Sequence, residues 1–565
     1  MSGIDWFLLI ASLAGIVVYG VWQRNGRRDA DSYLLAGREL RWASVTLSIM
    51  ATQASAITFL STPGQAYVDG IRFVQFYFGL PFAMIILSMT AAPHYLQQRV
   101  YTAYEFLEKR LDLKTRSLAA FLFLLQRGLS AGLTIFAPSL ILTVVLGWDI
   151  HITTALMGGL VILYTTAGGA RAVSRTQNQQ MLIIIAGMLV AAWVIVRSFP
   201  DGVSVGDAMR LAARTGRLDA IDLSFDPSSR YTLWSGLIGG LFLALSYFGT
   251  DQSQVQRYLT ARSVTQSRLG LLANGIVKVP MQFLILLVGI LVFAFYQFTP
   301  PPVFFNPVEV SRMRSSGEAE KFANAEERHA GAAEARARAA RVYVEARRSQ
   351  SSAAIAAAET ALQHEESAVR AVRGEAISLI RGNSSSSDTN DTNYIFLSFV
   401  VNHLPVGVIG IVLAVVFAAA MSSSSAELNA LSSTTVVDIY RRLMRPDATE
   451  AQLVRVARWA TVFWGLFAVG FAENATRLGS LVEAVNVLGS LFYGTILGIF
   501  AVAFFLRRAT GTGTFAAAIV AEVVVLCCYF FTTISFLWYN ALGCILVLVL
   551  AFASSGRRLA GPHSV

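Results

Sequence analysis

The chain contains 565 residues, of which 55% are hydrophobic and 14% charged, and it carries a net charge of +10 at a mean hydropathy of +0.56. A soluble chain of this length would divide into several domains with charged surfaces, so the composition excludes a soluble protein and indicates a polytopic membrane protein. The three cysteines lie in late apolar stretches and the six histidines are scattered, which disfavours a disulfide framework and a metal-dependent enzyme.

Apolar runs of about 20 residues, the length that crosses about 30 Å of hydrocarbon, recur along the chain. We number thirteen of them as segments 1 to 13: residues 5–22, 42–61, 74–96, 117–146, 149–168, 178–198, 231–250, 271–297, 405–436, 455–473, 479–506, 513–533 and 535–555. The basic residues gather in alternate loops, which is the positive-inside pattern. It predicts a multi-pass protein of the plasma (bacterial inner) membrane, with the N-terminus outside and the C-terminus in the cytoplasm. Topology thus explains the positive charge, and no nucleic-acid partner is expected.

Two features interrupt the apolar pattern in the first half of the chain. In segment 2, Pro63 and Gly64 form a pair that marks a turn, and we predict that the helix ends there. In segment 4, Arg127 places a charge within an apolar run. Because a charge in hydrocarbon is costly, this side chain should pair or face a cavity, unless it lies shallow enough to reach the membrane surface.

Residues 306–393 differ in composition from the apolar segments on either side. Two runs rich in Ala, Glu and Arg, 308–348 and 353–380, are strong helix formers with charges at i,i+4 spacing. They predict an antiparallel helical hairpin outside the membrane. A tolerated loop insertion is the simpler interpretation of this insert, and a docking arm for a protein partner is the alternative. The chain then divides into three parts: 1–305 with segments 1 to 8, the extracytoplasmic insert 306–393, and 394–565 with segments 9 to 13.

Segment 9 contains four consecutive serines, Ser422–Ser425, followed by Glu427. Hydroxyl groups at bilayer depth cost free energy unless they are satisfied, so such a cluster indicates a pathway or a binding site. Small residues also let helices pack closely in lipid, and serine can bond back to its own helix. The serines alone leave both interpretations open.

Six stretches in chain order carry a resemblance to one known family. They are DADSYLLAGREL, SIMATQASAITFLSTPGQAY, YTAYEFLEKR, GGARAVSRTQNQQ, SYFGTDQSQVQRYLTA and FAAAMSSSSAELNALSSTTVVDIY. The chain thereby resembles the sodium/solute symporters, which include sodium–glucose, proline, monocarboxylate, vitamin and iodide cotransporters. The resemblance implies an all-α, leucine-transporter-type fold of about 13 transmembrane helices, with inverted five-helix repeats in segments 2–6 and 7–11. It also implies sodium as the coupling ion, no other cofactor, no enzymatic activity, and the lipid bilayer and a small organic solute as partners.

The resemblance further implies a sodium site between segments 2 and 9, where the first core helix of the family unwinds. Its five oxygens would come from the carbonyls of Ala51, Ala54 and Ala419 and the hydroxyls of Ser422 and Ser423. Neutral oxygens in this number suit a small monovalent cation. We interpret Ser424 and Ser425 as packing residues, and we expect Glu427 near the cytoplasmic end of the helix or paired with a neighbouring loop.

Six residues are expected at the solute pocket or its gate: Gln53, Thr58, Tyr247, Lys278, Glu483 and Asn486. By resemblance, Tyr247 matches the aromatic residue that covers the substrate in the sugar transporter of this family, and Lys278 matches a pocket lysine there. Lys278 is within about two turns of the predicted membrane edge and could extend to the membrane surface. If it does not, it is with Arg127 a second buried cation, and two buried cations suit an anionic solute such as a carboxylate. Ala244 and Thr58 lack the hydrogen-bonding side chains of that sugar transporter, which disfavours a sugar.

One residue departs from the family pattern. The Thr-Asp pair in the fifth core helix of the family is Thr176-Gln177 here, and that aspartate lies on the inward ion exit route. Gln177 keeps an oxygen but lacks the charge, which weakens its attraction for sodium by about 1–3 kcal/mol. The resemblance as a whole implies a sodium-coupled symporter importing a small organic solute or anion by alternating access. Two alternatives stay open: a sodium-independent facilitator, motivated by Gln177, and a transporter-fold sensor that signals through the insert.

Overall fold

The computed structural model describes residues 1–22, 30–384, 388–475 and 479–555. These residues form helices and the connections between them, and one isolated bridge between Leu40 and Ala261 is the β-structure recorded among them. Nine helices in these ranges are long and apolar enough to cross a membrane, and three shorter apolar helices accompany them. The prediction of an all-helical, polytopic membrane protein is therefore confirmed.

The helices of the first half contain predicted segments 1 to 6. They are α1 (Gly3–Trp22), α2 (Ala30–Leu35), α3 (Trp42–Gln53), α4 (Ala56–Asp69), α5 (Leu80–Met89), α6 (Ala91–Gln97), α7 (Ala103–Arg110), α8 (Leu113–Leu146), α9 (Ile150–Arg197) and α10 (Val205–Arg214). Short 3₁₀ turns at Ala36–Arg38 and Gly70–Tyr77 connect some of them. Segment 4 is α8, which begins where the Asp112 carboxylate accepts a hydrogen bond from the Thr115 backbone N–H.

The helices of the second half contain segments 7 to 13 and the insert. They are α11 (Gly240–Gly249), α12 (Gln252–Leu259), α13 (Val264–Phe298), α14 (Pro307–Arg314), α15 (Ala319–Ser349), α16 (Ser352–Asn383), α17 (Thr392–His403), α18 (Val408–Thr434), α19 (Glu450–Ala472), α20 (Leu481–Phe505), α21 (Gly511–Phe531) and α22 (Phe536–Ser555). π-Helical turns precede α11 (Ser235–Gly239) and follow α18 (Thr435–Met444). Segments 7, 8, 9 and 11 correspond to α11, α13, α18 and α20.

Segment 2 is broken in its middle and not at Pro63. α3 ends at Gln53, Ala54 takes φ −82° and ψ 77°, and α4 begins at Ala56 and runs on to Asp69. The prediction of a helix end at Pro63 is therefore wrong. A Cβ on Gly64 would lie 2.0 Å from the Thr392 carbonyl oxygen, so glycine is needed there for the close approach of α17.

The long helix α9 accounts for both segment 5 and segment 6. Tyr164 Oη and Thr176 Oγ1 lie 2.7 Å apart, although twelve residues of a straight helix would place their Cα atoms about 18 Å apart. The two halves of α9 therefore cannot be collinear, and they correspond to the two predicted segments.

The insert forms the predicted hairpin, and it is docked on the membrane domain. Phe322 near the start of α15 clusters with Ile380 near the end of α16, while Tyr343 clusters with Leu362, so the two helices are antiparallel. The same apolar clusters include Leu211 of α10 and, from the end of α13 and the connection after it, Phe298 and Phe304. We call the side of the membrane domain that the hairpin covers the insert face.

Ion pairs hold the hairpin at both ends. Arg214 of α10 contacts Glu366 at 2.6 Å, and Arg348 contacts Asp207 at 2.8 Å. At the other end, Arg373 contacts Asp391 at 2.8 Å, immediately before α17. The hairpin thus bridges the connection between segments 6 and 7 and the short helix that leads into segment 9.

The buried His329 of α15 makes the hairpin sensitive to acid. Burial, together with the nearby charges of Arg373 and Arg336, lowers the pKa of His329 to about 4. Because the unfolded side chain titrates near about 6.5, the folded hairpin binds fewer protons, and stability present above that pH is lost as pH falls toward the folded value. In the parent protein, hydrogen exchange of α15 and α16 should therefore increase as pH falls through this window. We expect His329→Leu to remove that increase.

The matched control is His364→Leu, which changes a histidine of α16 whose side chain is 79% exposed. Burial raises the pKa of Asp388 to about 7, so the stability that this side chain contributes is lost as pH rises, opposite to the effect of His329. Each variant is therefore compared with the parent protein at the same pH. An acid-induced increase that is equal in the parent and in His329→Leu would contradict this prediction.

Candidate functional site

The break in segment 2 opens onto an internal cavity of about 90 Å³. Its walls come from segments 2, 4, 7, 9 and 11 and from the aromatic side chains of Phe76 and Tyr77. Four of the six residues predicted for the solute pocket line it: Gln53, Thr58, Tyr247 and Asn486. The structure therefore brings together polar side chains that lie far apart along the chain.

Lys278 and Glu483, which were also expected there, do not line this cavity. Lys278 is 0% exposed, so it does not extend to the membrane surface, and its Nζ has no hydrogen-bond partner among the described residues. It lies 6.0 Å from the ring centre of Tyr77, which is part of the cavity wall. Glu483 lies at the insert face, where both its oxygens accept hydrogen bonds of 2.7 Å from Arg230.

Two of the residues predicted to bind sodium, Ala51 and Ser422, contact each other between α3 and α18, close to the break in segment 2. Ser422 Oγ donates a hydrogen bond of 3.1 Å to the Ala51 carbonyl, and Ser423 Oγ donates one of 3.0 Å to the Ala419 carbonyl. Ala54 is the residue of the break itself, and all five residues are at most 1% exposed. Carbonyl and hydroxyl oxygens are the ligands that a hard cation prefers, and a hydroxyl can turn its lone pairs toward one.

Gln177 lies beside these residues and links α9 to both α3 and α18. Its Oε1 accepts a hydrogen bond of 2.5 Å from Ser48, while its Nε2 donates to Thr52 Oγ1 at 3.0 Å and to the Ser422 carbonyl at 3.4 Å. The amide oxygen expected to face a leaving ion is therefore engaged by a serine. The contact with the Ser422 carbonyl requires a donor, which a carboxylate at this position would lack.

A buried charged network forms one wall of the cavity, and the sequence analysis missed it. Arg127 Nη1 donates a hydrogen bond of 3.0 Å to Glu427 Oε1, and Arg127 Nη2 contacts Asp251 Oδ2. The Tyr493 hydroxyl bonds to both Arg127 Nη2, at 2.5 Å, and Asp251 Oδ2, at 2.9 Å. The network joins segments 4, 9 and 11 to the residues that directly follow segment 7.

The interpretation that Glu427 lies near a helix end or pairs with a loop is wrong. Glu427 is 5% exposed, and its partner Arg127 is on the membrane helix α8. The signal that could have identified the pair was present, because opposite charges within apolar segments tend to pair with one another.

Tyr247 lies at the edge of the same network. Its hydroxyl accepts a hydrogen bond of 2.8 Å from Gln254, and the Arg127 guanidinium lies 5.4 Å from its ring centre. The Tyr493 ring centre is 6.0 Å away. Two tyrosine rings and a paired arginine therefore form one aromatic and charged corner of the cavity.

The chain matches the model of one family, described as "Sodium:solute symporter family", over residues 33–321 and 368–521. This match covers more than half of the chain. The chain belongs to the sodium:solute symporter family. The match leaves out residues 322–367, so most of the hairpin in this family member is additional to what the family shares.

Curated proteins similar to this family member are sodium-coupled transporters, consistent with the expected lack of enzymatic activity. It is 26% identical to the sodium-dependent multivitamin transporter of Oryctolagus cuniculus over 512 residues, 90% of this chain and 66% of that protein. It is 31% identical to the sodium/iodide cotransporter of Homo sapiens over 296 residues, 52% of this chain and 45% of that protein. The matches therefore span about two thirds or less of the length of these two relatives.

A bacterial relative and a solved structure match along nearly the whole chain. The sodium/sialic acid symporter SiaT of Proteus mirabilis (strain HI4320) is 23% identical over 561 residues, 97% of this chain and 93% of that protein. The substrate-bound, outward-open structure of a Na⁺-coupled sialic acid symporter has a TM-score of 0.75 at 22% identity and covers 98% of each chain. At this identity the likeness shows the fold alone, and it confirms the leucine-transporter-type fold.

Proposed function

We propose that this family member imports a small organic solute together with sodium by alternating access. The observation that carries the proposal is the hydrogen bond from the Ser422 hydroxyl to the Ala51 carbonyl, which joins α18 to the last turn of α3 just before the break of segment 2. The cavity begins at the same break, where Thr52, Gln53 and Ser55 form part of its wall. An ion site and a solute site that share one broken helix favour coupling of the two ligands.

Coupling requires that sodium and the solute stabilise the same conformation of the transporter, because coupling is a free energy shared between two sites. Sodium would bridge segment 2 and segment 9, which contact each other through Ala51 and Ser422. Each sodium that crosses a potential of about 100 mV releases about 2.3 kcal/mol, enough for more than tenfold accumulation of a neutral solute, since a factor of ten costs about 1.4 kcal/mol.

The proposed orientation follows the distribution of basic residues. The insert face would be on the outside of the plasma membrane, with the N-terminus outside and the C-terminus in the cytoplasm. Gln177 would then lie on the inward route of the ion. Its hydrogen bond to the Ser422 carbonyl supports a role in holding the empty site together after sodium leaves.

The role proposed for the insert is structural. Its apolar contacts and its ion pairs with α10 and with Asp391 fix the hairpin to the membrane domain. These contacts favour a docked accessory element over a free arm for a partner.

The proposed function is tested by thermal unfolding of the purified protein in sodium chloride against potassium chloride, followed by uptake of radioactive sodium into proteoliposomes. A ligand that binds the folded state alone raises its stability by mass action, so sodium should raise the melting temperature specifically. Equal melting temperatures in the two salts, with no sodium uptake under any added solute, would overturn symport in favour of a sodium-independent facilitator or a sensor.

A further inference from the structure

The charged corner of the cavity contains more negative than positive groups. Arg127 is 3% exposed and pairs with two carboxylates, Asp251 at 1% and Glu427 at 5% exposed. Among the described residues that line the cavity, Arg127 and Glu427 are the ones with ionic side chains. One guanidinium against two carboxylates leaves a net negative charge at this wall when both acids are ionised.

One oxygen of this cluster is left without a partner. Glu427 Oε1 accepts from Arg127, whereas Glu427 Oε2 is buried and has no hydrogen-bond partner within the described residues. An unpaired carboxylate oxygen in a buried site costs free energy, and a positively charged donor would remove that cost. Glu427 is part of the cavity wall, so a turn of its carboxylate would bring Oε2 to the cavity, where a solute can supply this donor.

The aromatic side chains of the same corner also suit a cation. Tyr247 and Tyr493 both line the cavity, with their ring centres 6.0 Å apart. The faces of tyrosine rings attract ammonium groups, and an N⁺–H···O⁻ hydrogen bond is about twice as strong as a neutral one.

We propose that the solute carries a protonated amine and that this amine binds Glu427 Oε2 beside Tyr247 and Tyr493. The proposal rests on the proposed function and specifies the class of its solute. It replaces the expectation of an anion, which depended on Arg127 and Lys278 as two buried cations at the pocket. Both Nη atoms of Arg127 are occupied by carboxylates, and Lys278 does not line the cavity.

The first test uses four solutes with one three-carbon skeleton that differ only in charge. L-Alanine carries an amine and a carboxylate, L-alaninol the amine alone, L-lactate the carboxylate alone, and propane-1,2-diol neither. In sodium chloride, alaninol and alanine should raise the melting temperature of the purified protein, and lactate and the diol should not. Stabilisation by lactate without alaninol, or no stabilisation by either amine at the highest soluble concentration, would overturn the proposal.

The second test is Glu427→Gln, which keeps the shape of the side chain and its contact with Arg127 but removes the charge. We expect the apparent affinity for alaninol to fall at least tenfold while the stabilisation by sodium alone persists. The control is Glu522→Gln, which changes a carboxyl on α21 that is 9% exposed, has no hydrogen-bond partner among the described residues and does not line the cavity. It should leave both responses unchanged.

The two tests separate this inference from the proposed function. If Glu427→Gln also abolishes stabilisation by sodium alone, Glu427 serves the ion and the amine proposal is wrong. If the parent protein shows no response to sodium but binds alaninol through Glu427, the solute class stands and sodium coupling fails.

Discussion

Replacing Ser423 by alanine should shift the sodium-specific stabilisation of the protein, and its sodium-dependent uptake, to sodium concentrations about tenfold higher or more. The Ser423 hydroxyl lies 3.0 Å from the Ala419 carbonyl, and together they would supply two of the five proposed ligands. A hydrogen bond to a charged group contributes about 1.5–3 kcal/mol, and we take a similar value for one oxygen ligand of sodium. Losing one ligand should therefore weaken sodium binding by about tenfold or more. Titration of the melting temperature against sodium concentration measures this change.

Ser424→Ala is the matched control for Ser423→Ala. Ser424 is also 0% exposed on α18, but its hydroxyl has no hydrogen-bond partner among the described residues. Removing it should leave the sodium titration unchanged. A weaker response in Ser424→Ala than in Ser423→Ala would mean that the ion lies on the other side of the helix.

Arg127→Met should destabilise the protein by about 3–5 kcal/mol, because it leaves Asp251 and Glu427 as buried carboxylates without their cation. Methionine keeps much of the length of the side chain, so the loss of packing is small. Thermal unfolding in detergent, without added solute, measures the effect. A melting temperature equal to that of the parent would contradict the observed pairing.

Two further variants show whether charge is the cause. Combining Arg127→Met with Asp251→Asn and Glu427→Gln removes all three charges and should restore much of the lost stability. Arg230→Met breaks the pair with Glu483, in which the arginine side chain is 59% exposed, and should cost no more than about 1 kcal/mol.

The membrane segments and the hairpin could be predicted because their signals are local. A run of apolar residues long enough to span the bilayer, or a run of alanines with charges at i,i+4, specifies a helix from neighbouring residues alone. The end of segment 2 was predicted wrongly for the same reason. Pro63 and Gly64 form a turn signal locally, but here α17 packs against Gly64 and the helix continues to Asp69.

The charged network could not be predicted because it depends on contacts between distant parts of the chain. Arg127 and Glu427 are 300 residues apart, and no local pattern relates them. The family resemblance located positions on helices, but it did not give the direction of each side chain. Gln53, Thr58, Tyr247 and Asn486 line the cavity, whereas Lys278 and Glu483 do not.

The docked hairpin also bears on how such an insertion is acquired. Leu211, Phe298 and Phe304 are buried against it, and without the hairpin these apolar side chains would meet water. The hairpin and the surface beneath it therefore form one unit. Transplanting the hairpin alone into a relative with a polar surface at these positions would leave it without a binding face, whereas moving it together with α10 and the end of α13 would carry its anchor along.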